Sequence, residues 1–296
     1  MLDLLREYEY CVAYKRRGKK DYKYILPNFR FWYADPMPVQ INNRVYIFME
    51  AYDKIDMKGK VAVSEVHGDV ATAPVVIIDE PFHMSFPNVF RWNGKYYMIP
   101  ETCATNQIRI YRMGDNVFDW KLEGFIGTND KCIVDTAVIA NDENKLILVT
   151  GEIDPKDRYK CRSVVMEINE IKMGIEPIII YMNDDYSYDD RNAGNIITRD
   201  DGLYRAIQHS SCEVYGQNVT IEYIKNIEKL LSEPAEIDTN IGLNSENIKL
   251  NKVRFIPYGI HTYGEASDCI VIDVGVRRLS LDGVFYKCYR RVKETK

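Results

Sequence analysis

Five side chains able to move a proton or hold a sugar hydroxyl recur at one place in a repeated phrase: Glu50, Glu101, Glu152, Gln208 and Asp273. Each ends an apolar run that follows a tight turn and an earlier apolar run. The phrase begins about every fifty to seventy residues, near Asp35, Phe86, Asp135, Asn192 and His261. In an antiparallel hairpin the first residue of one strand and the last residue of the next lie at the same end. Five hairpins set radially would bring all ten positions to one mouth of a central channel. Carboxyl groups crowded there raise the pKa of one member, so that one stays protonated while a neighbour is ionised. Glycoside hydrolysis needs such a pair flanking the scissile bond.

The remaining arc offers groups suited to a polar ligand. Arg191 presents a planar fork for a carboxylate or phosphate. Asn192 and Gln208 each donate and accept, which suits vicinal hydroxyls. His83, His209 and His261 could contact ligand or staple loops, and Trp32, Tyr33, Tyr188, Tyr215 and Tyr263 could stack on sugar faces. Converging oxygens could also hold Ca²⁺, although no loop-type calcium spacing is present. Acids at strand ends also serve structure, and Arg191 is a ready partner for one of them.

The elements that must position these groups are strands. Tyrosine is abundant at 22 residues, and runs rich in Val, Ile, Tyr and Phe alternate with turn signals at Asn42-Asn43, Asn93-Gly94, Asp142-Glu143-Asn144, Asp200-Asp201-Gly202 and Asp282-Gly283. Helical spacing is confined to residues 219–231, which predicts one short helical insertion. One small sheet per repeat of this length is the mark of a propeller, with a β-sandwich as the competing architecture. The expectation is an all-β, five-bladed β-propeller filling residues 1–296 as a single domain. Residues 8–14 are expected to pair with 285–292 and close the last blade, which removes an open sheet edge.

Bulk properties narrow the partners. The chain has 296 residues, 46% of them hydrophobic and 28% charged, with a net charge of −5. That balance supplies no electrostatic case for nucleic acid. The basic residues from Lys15 to Lys23 read as a solvated hairpin tip. Seven scattered cysteines without CxxC spacing suit a reducing compartment. Asp3, Arg6 and Glu7 interrupt any apolar signal core, and no run is long enough to span a membrane, so a cytoplasmic location is expected.

Several phrases together resemble a known family: ADP at 34–36, FHMSFPNVF at 82–90, YYMIPET at 96–102, RIYR at 109–112, DT at 135–136, RNAG at 191–194, YRAIQ at 204–208, YG at 215–216 and HT at 261–262. They look like the N-terminal domain of plant glucosamine inositolphosphorylceramide transferases and of bacterial polysaccharide-biosynthesis proteins. That domain is similar to the five-bladed propellers of glycoside hydrolase families 43, 32 and 62. The resemblance covers roughly residues 30–275. It implies a carbohydrate-active propeller in which Asp35 matches a general base and Asp135 a pKa modulator. The Glu expected to open the fourth blade as general acid is replaced by the run Arg191-Asn192-Ala193-Gly194.

On that basis the catalytic set is Asp35 as base, Glu101 as acid and Asp135 as modulator or hydroxyl acceptor, with Glu152 a close second to Glu101. The substrate-binding set is Glu50, His83, Glu152, Arg191, Asn192, Gln208 and His261. Three functions compete: a glycoside hydrolase-like enzyme, a non-catalytic glycan- or nucleotide-sugar-binding module supporting a glycosyltransferase, and a protein-interaction propeller. The last predicts an apolar mouth and ranks third.

Overall fold

The computed structural model describes residues 6–140, 145–235, 248–250, 254–280, 285, 286 and 289. The turn residues act as their chemistry requires: Asn42, Asn43, Asn93 and Gly94 have φ of 49°, 63°, 48° and 74°, the left-handed conformation of two-residue hairpin turns. The turn signals at 142–144 and 282–283 lie outside the described residues.

Strands β1 (Arg6–Arg16) and β2 (Lys23–Ile25) open the chain. The first blade is β3 (Phe31–Ile41), β4 (Arg44–Asp53) and β5 (Lys58–His67), with β6 (Val70–Ala71) and β7 (Val75–Ile78) on its outer edge. The second blade is β8 (Ser85–Trp92), β9 (Lys95–Glu101), β10 (Gln107–Met113) and β11 (Trp120–Gly127). The third is β12 (Ile133–Ala140), β13 (Leu146–Asp154), β14 (Asp157–Ile168) and β15 (Ile178–Met182). In the fourth, β16 (Arg191–Asn192) and β17 (Ile197–Arg199) together line β18 (Gly202–His209), followed by β19 (Asn218–Asn226) and β20 (Leu231–Pro234). In the fifth, β21 (Phe255–Gly259) and β22 (Tyr263–Ala266) share one edge of β23 (Cys269–Leu279), and β1 takes the other. Inner strands touch in the cyclic order β3, β8, β12, β16/β17, β22 and back to β3. The result is a five-bladed propeller.

Core packing follows from strand periodicity. Successive side chains point to opposite faces, and each blade buries both faces against its neighbours. Along β4, Val45, Ile47, Met49 and Ala51 pack towards the fifth blade, while Tyr46 and Phe48 pack towards the second. Along β23, Ile270, Ile272, Val274 and Val276 face the fourth blade, and Cys269 and Val271 face the first. The second and third blades share a further cluster around Ile99, Ile110 and Leu148, and the third and fourth one around Val149 and Ile224. Five apolar interfaces therefore hold five sheets. Trp92 and Trp120 belong to these interfaces.

Two expectations are corrected. Residues 218–226 form a strand, not a helix: β19 pairs with β18 from His209↔Asn218 to Tyr204↔Tyr223. Over VTIEYI, helical spacing and strand alternation nearly coincide, and the free edge of β18 decides between them. A turn stabilised by the Lys229 N–H donating to Asn226 Oδ1 at 3.0 Å then leads into β20. The closing strand β1 pairs with β23 over Arg6↔Leu279 to Arg16↔Cys269, not with 285–292; Phe285, Tyr286 and Tyr289 are helical. Cys103, in the β9–β10 connection of the second blade, forms a disulfide with Cys132, just before β12 of the third. Such bonds persist in oxidising surroundings, so scattered cysteines do not by themselves argue for a reducing compartment. No helix among the described residues is long and apolar enough to cross a membrane.

A buried ion cluster locks the closure. Glu9 on β1 accepts from Lys54 Nζ at 2.8 Å, after β4 of the first blade, and from Arg278 Nη2 on β23 at 3.0 Å. All three residues are buried. Removing one partner of such a cluster strands uncompensated charge and costs about 3–5 kcal/mol. Glu9→Ala should therefore lower unfolding free energy by about that amount in denaturant titration, whereas a loss under about 1 kcal/mol would mean an exposed pair.

Candidate functional site

The inner strands of the first three blades carry the same irregularity. Pairing skips between Ala34 and Met37, between Ser85 and Asn88, and between Val134 and Ala137. The residue at the start of each bulge has positive φ: Asp35 at 48°, Phe86 at 45° and Asp135 at 50°. Bulges re-aim side chains at the cost of ladder bonds, and a non-glycine residue held there stores on the order of 1–3 kcal/mol. The bulges are stitched to one another across blades. The Asp35 N–H donates to Asp273 Oδ2 at 3.1 Å, and the Phe86 N–H donates to Asp35 Oδ2 at 3.2 Å. The glycine of the RNAG phrase allows a similar close approach: a Cβ on Gly194 would meet the Tyr263 carbonyl oxygen at 2.0 Å.

At the axis lies a cavity of about 320 Å³ lined by Asp35, Glu50, Glu101, Arg191 and His261, together with Ser85 and an aromatic wall. The wall is nearly continuous. Ring centroids run from Tyr159 to Tyr215 (6.0 Å), His261 (5.4 Å), Tyr10 (4.7 Å), Trp32 (5.5 Å), Tyr52 (4.6 Å) and His83 (6.3 Å). Trp32 and Tyr52 stack within 7° of parallel.

Five carboxyl groups at the axis share two cations. His261 Nδ1 lies 2.7 Å from Asp273 Oδ2, and its Nε2 lies 3.3 Å from Asp35 Oδ1. Burial would neutralise the imidazole, but Asp273 and Asp35 push its pKa up to about 10. Burial likewise opposes ionisation of Asp35. The His261 imidazolium, the Thr262 hydroxyl at 3.0 Å and the Phe86 N–H overcome it and hold the carboxyl below its ordinary range. Arg191 is the second cation. Its Nε donates to Asp135 Oδ2, and its Nη2 is 4.0 Å from Glu101 Oε2.

That leaves too little positive charge for the rest. Burial, with Glu101 and Asp35 nearby, raises Asp135 to about 7 despite Arg191. Burial raises Glu101 too, offset in part by Arg191 and by the Ser85 hydroxyl, which donates to Oε2 at 3.0 Å. Glu50 is pushed well above its ordinary value by burial and by the charges of Asp35 and Glu101. Asp35 is thus held below its ordinary range while Glu50 and Glu101, in the same cavity, are raised; Asp135 does not line the cavity.

Other residues expected at the mouth lie elsewhere. Glu152 lines a separate cleft with Lys131 and Pro177, where Lys131, Arg162 and Tyr186 bond its carboxylate. Asn192 is buried between blades, its amide donating to the carbonyls of Asp135 and Val149. Gln208 donates to Ser210 Oγ at 2.9 Å, and His209 lies between Asp189 and Thr220. None of these four lines the axial cavity. Of the aromatic candidates Trp32 and Tyr215 do, whereas Tyr33, Tyr188 and Tyr263 bond to Asn28, Asp157 and Glu265. Tyr52 was legible, two residues beyond Glu50 on the same strand face. Tyr10 reaches the cavity only through ring closure, and Arg158 and Tyr159 only through the β13–β14 hairpin.

Ligand atoms of Asp35, His261 and Asp273 lie within 4.8 Å of one another, a spacing that a metal ion could bridge. The donor set does not fit Ca²⁺. That ion takes six to eight oxygen ligands, whereas here an imidazolium occupies the centre and Asp273 already accepts the N–H groups of Asp35, His261 and Thr262.

A five-bladed propeller whose axial cavity is acidic and walled by aromatic rings is the class of molecule these features define. The chain belongs to the family described as glucosamine inositolphosphorylceramide transferase 1, N-terminal, which matches residues 27–255. It is 28% identical over 220 residues to Glucosamine inositolphosphorylceramide transferase 1 of Arabidopsis thaliana, covering 72% of this chain and 28% of that protein. Among solved structures, Penicillium chrysogenum α-L-arabinanase, solved with arabinobiose, superposes with a TM-score of 0.56 at 11% identity, covering 90% of this chain and 98% of that one. The catalytic domain of Coprinopsis cinerea GH62 α-L-arabinofuranosidase gives 0.53 at 12% identity, covering 90% and 97%. At these identities the structural likeness establishes the fold.

The His261 clamp has a pH signature. The native state keeps the imidazole proton to about pH 10, whereas the unfolded chain releases it near 6.5. Between those values the folded state binds more protons, so stability falls as pH rises. The thermal midpoint should drop between pH 7 and 10, and His261→Gln should flatten that drop while lowering the midpoint at pH 7. An unchanged slope would assign the alkaline loss to another group.

Proposed function

We propose that this chain is a carbohydrate-active propeller that cleaves or transfers a glycosyl group in its axial cavity, acting on a glycan or glycoconjugate. The observation that carries this reading is the split among carboxyl groups at the axis: Asp35 is held below its ordinary range, while Glu50 and Glu101, which line the same cavity, and Asp135, bound to Arg191 behind the lining, are raised. Environments that push neighbouring pKa values apart assign acid and base roles. Asp35 is the base that takes a proton from the incoming water or hydroxyl. Asp135, tied to Arg191, sets the local charge, and Glu101 with its Ser85 partner is among the carboxyl groups that burial raises. The aromatic wall supplies apolar faces for sugar rings. The α-L-arabinanase and α-L-arabinofuranosidase folds, both carbohydrate-degrading by name, support the same substrate class.

A second reading rests on Arg191. It stands where a fourth-blade acid would open the blade, and it is committed to Asp135. The chain also spans only 28% of the length of a relative named as a transferase. In this reading the cavity holds a glycan or nucleotide-sugar for a separate glycosyltransferase and catalyses nothing itself.

Asp35→Asn separates the two. In the catalytic reading, turnover of a responsive glycan falls by about 10²–10⁴-fold, with circular dichroism unchanged. Saturable binding of arabino-, galacto- or glucosaminyl oligosaccharides, with no product from wild type after long incubation, establishes the binding module instead.

A further inference from the structure

Glu50 differs from every other acid at the axis. It is buried on β4 at the cavity wall, and its Oε1 has no hydrogen-bond partner among the described residues. Asp35 has the imidazolium, the Thr262 hydroxyl and a backbone N–H; Glu101 has the Ser85 hydroxyl and lies within reach of Arg191; Asp135 has Arg191. Among the described residues Glu50 has one neighbour at ion-pair distance, His83, whose Nε2 is 3.6 Å from Oε1.

The state of His83 follows from its other nitrogen. The Gly59 N–H donates to Nδ1 at 2.9 Å, so Nδ1 is an acceptor and the ring proton sits on Nε2. Burial holds His83 below its ordinary pKa, which keeps the ring neutral at pH 7. His83 therefore gives Glu50 a dipole and no charge. The backbone makes room for this pair: a Cβ on Gly59 would sit 2.5 Å from Glu50 Oε1 and 2.9 Å from His83 Cε1. An unpartnered, buried carboxyl beside a neutral donor is costly as an anion, and the charges facing it from other strands, Asp35, Glu101 and Asp273 against His261, add to that cost.

We propose that Glu50 is the general acid of this cavity and that His83, fixed by the Gly59 N–H, is its positioning residue; this rests on the glycosyl-cleaving reading above. The Glu50 carboxyl gives its proton to the glycosidic oxygen as the anomeric C–O bond breaks and the bonding pair stays with that oxygen. Water or an acceptor hydroxyl forms the new C–O bond and loses its proton to Asp35. Glu50 ends ionised and Asp35 protonated, so charge and protons balance. The acid that the fourth blade lacks is supplied by the first.

Two measurements test this. The infrared difference between wild type and Glu50→Gln at neutral pH should contain a protonated-carboxyl band belonging to Glu50; a difference spectrum without that band overturns the proposal. Nitrophenyl and methyl glycosides of arabinose, galactose and glucosamine supply the second. Glu50→Gln should lose about 10²–10⁴-fold on methyl glycosides and far less on nitrophenyl glycosides, whose leaving groups need no acid. His83→Phe should shift the acid-dependent limb of the pH–rate profile, and His83→Gln should restore it. A Glu50→Gln variant as active as wild type on methyl glycosides, with Asp35→Asn inactive, overturns Glu50 and leaves the cleaving reading intact. A wild type that turns over none of the panel overturns both. Should Glu50→Gln fail to fold, a protonated-carboxyl band must persist in Glu101→Gln and in Asp135→Asn, and its complete loss in either overturns the proposal.

Discussion

Each blade buries both of its faces, so no blade can be stable without two neighbours, and the fold depends on the ladder between β1 and β23. That ladder joins the first described residues of the chain to a strand more than 250 positions away, from Arg6↔Leu279 to Arg16↔Cys269. Loop-closure entropy for such a pairing is paid once, and five apolar interfaces are gained together. The buried Glu9 cluster ties the same closure to the first blade through Lys54. Closure also delivers function, because β1 carries Tyr10 to the cavity and β23 carries Asp273 beneath His261.

Radial assembly concentrates acid at the axis, and the molecule manages that charge unevenly. His261 is clamped between Asp273 and Asp35, so one carboxylate exposed to the cavity stays ionised. Arg191 serves Asp135 and lies near Glu101. Among the described residues no lysine or arginine pairs with Glu50, and the His261 charge offsets its burial only in part. Among buried groups such unevenness is amplified, so Asp35 is held below its ordinary range while Glu50, Glu101 and Asp135 are raised. The bulges that aim Asp35 and Asp135 inward carry unfavourable backbone angles, which the surrounding hydrogen bonds sustain.

Some of this was legible in the residues. Alternating apolar runs and Asn-Gly-type turns identified hairpins, and their recurrence identified a propeller. Asp35, Glu50, Glu101, Arg191, His83 and His261 were picked out by repeat position or by residue type, and all six line the cavity. Glu152, Asn192 and Gln208 occupy equivalent repeat positions yet do not line it. Repeat position gives the end of a blade, not the rotation of a side chain about its strand, and each of these three met a nearer partner: Arg162 and Lys131, two backbone carbonyls, and Ser210. The segment 218–226 was misread because a run of six residues carries both periodicities, and only the free edge of β18 breaks the tie.

The sequence by itself determined the strand pattern, the turns and the number of blades, because these depend on contacts between residues close in the chain. Only the tertiary structure decided which strand closes the ring, which acids share the cavity and which of them keep a proton. Those outcomes depend on burial and on the distance to a few charged partners. The partners come from other blades, so their proximity exists only once the ring has closed.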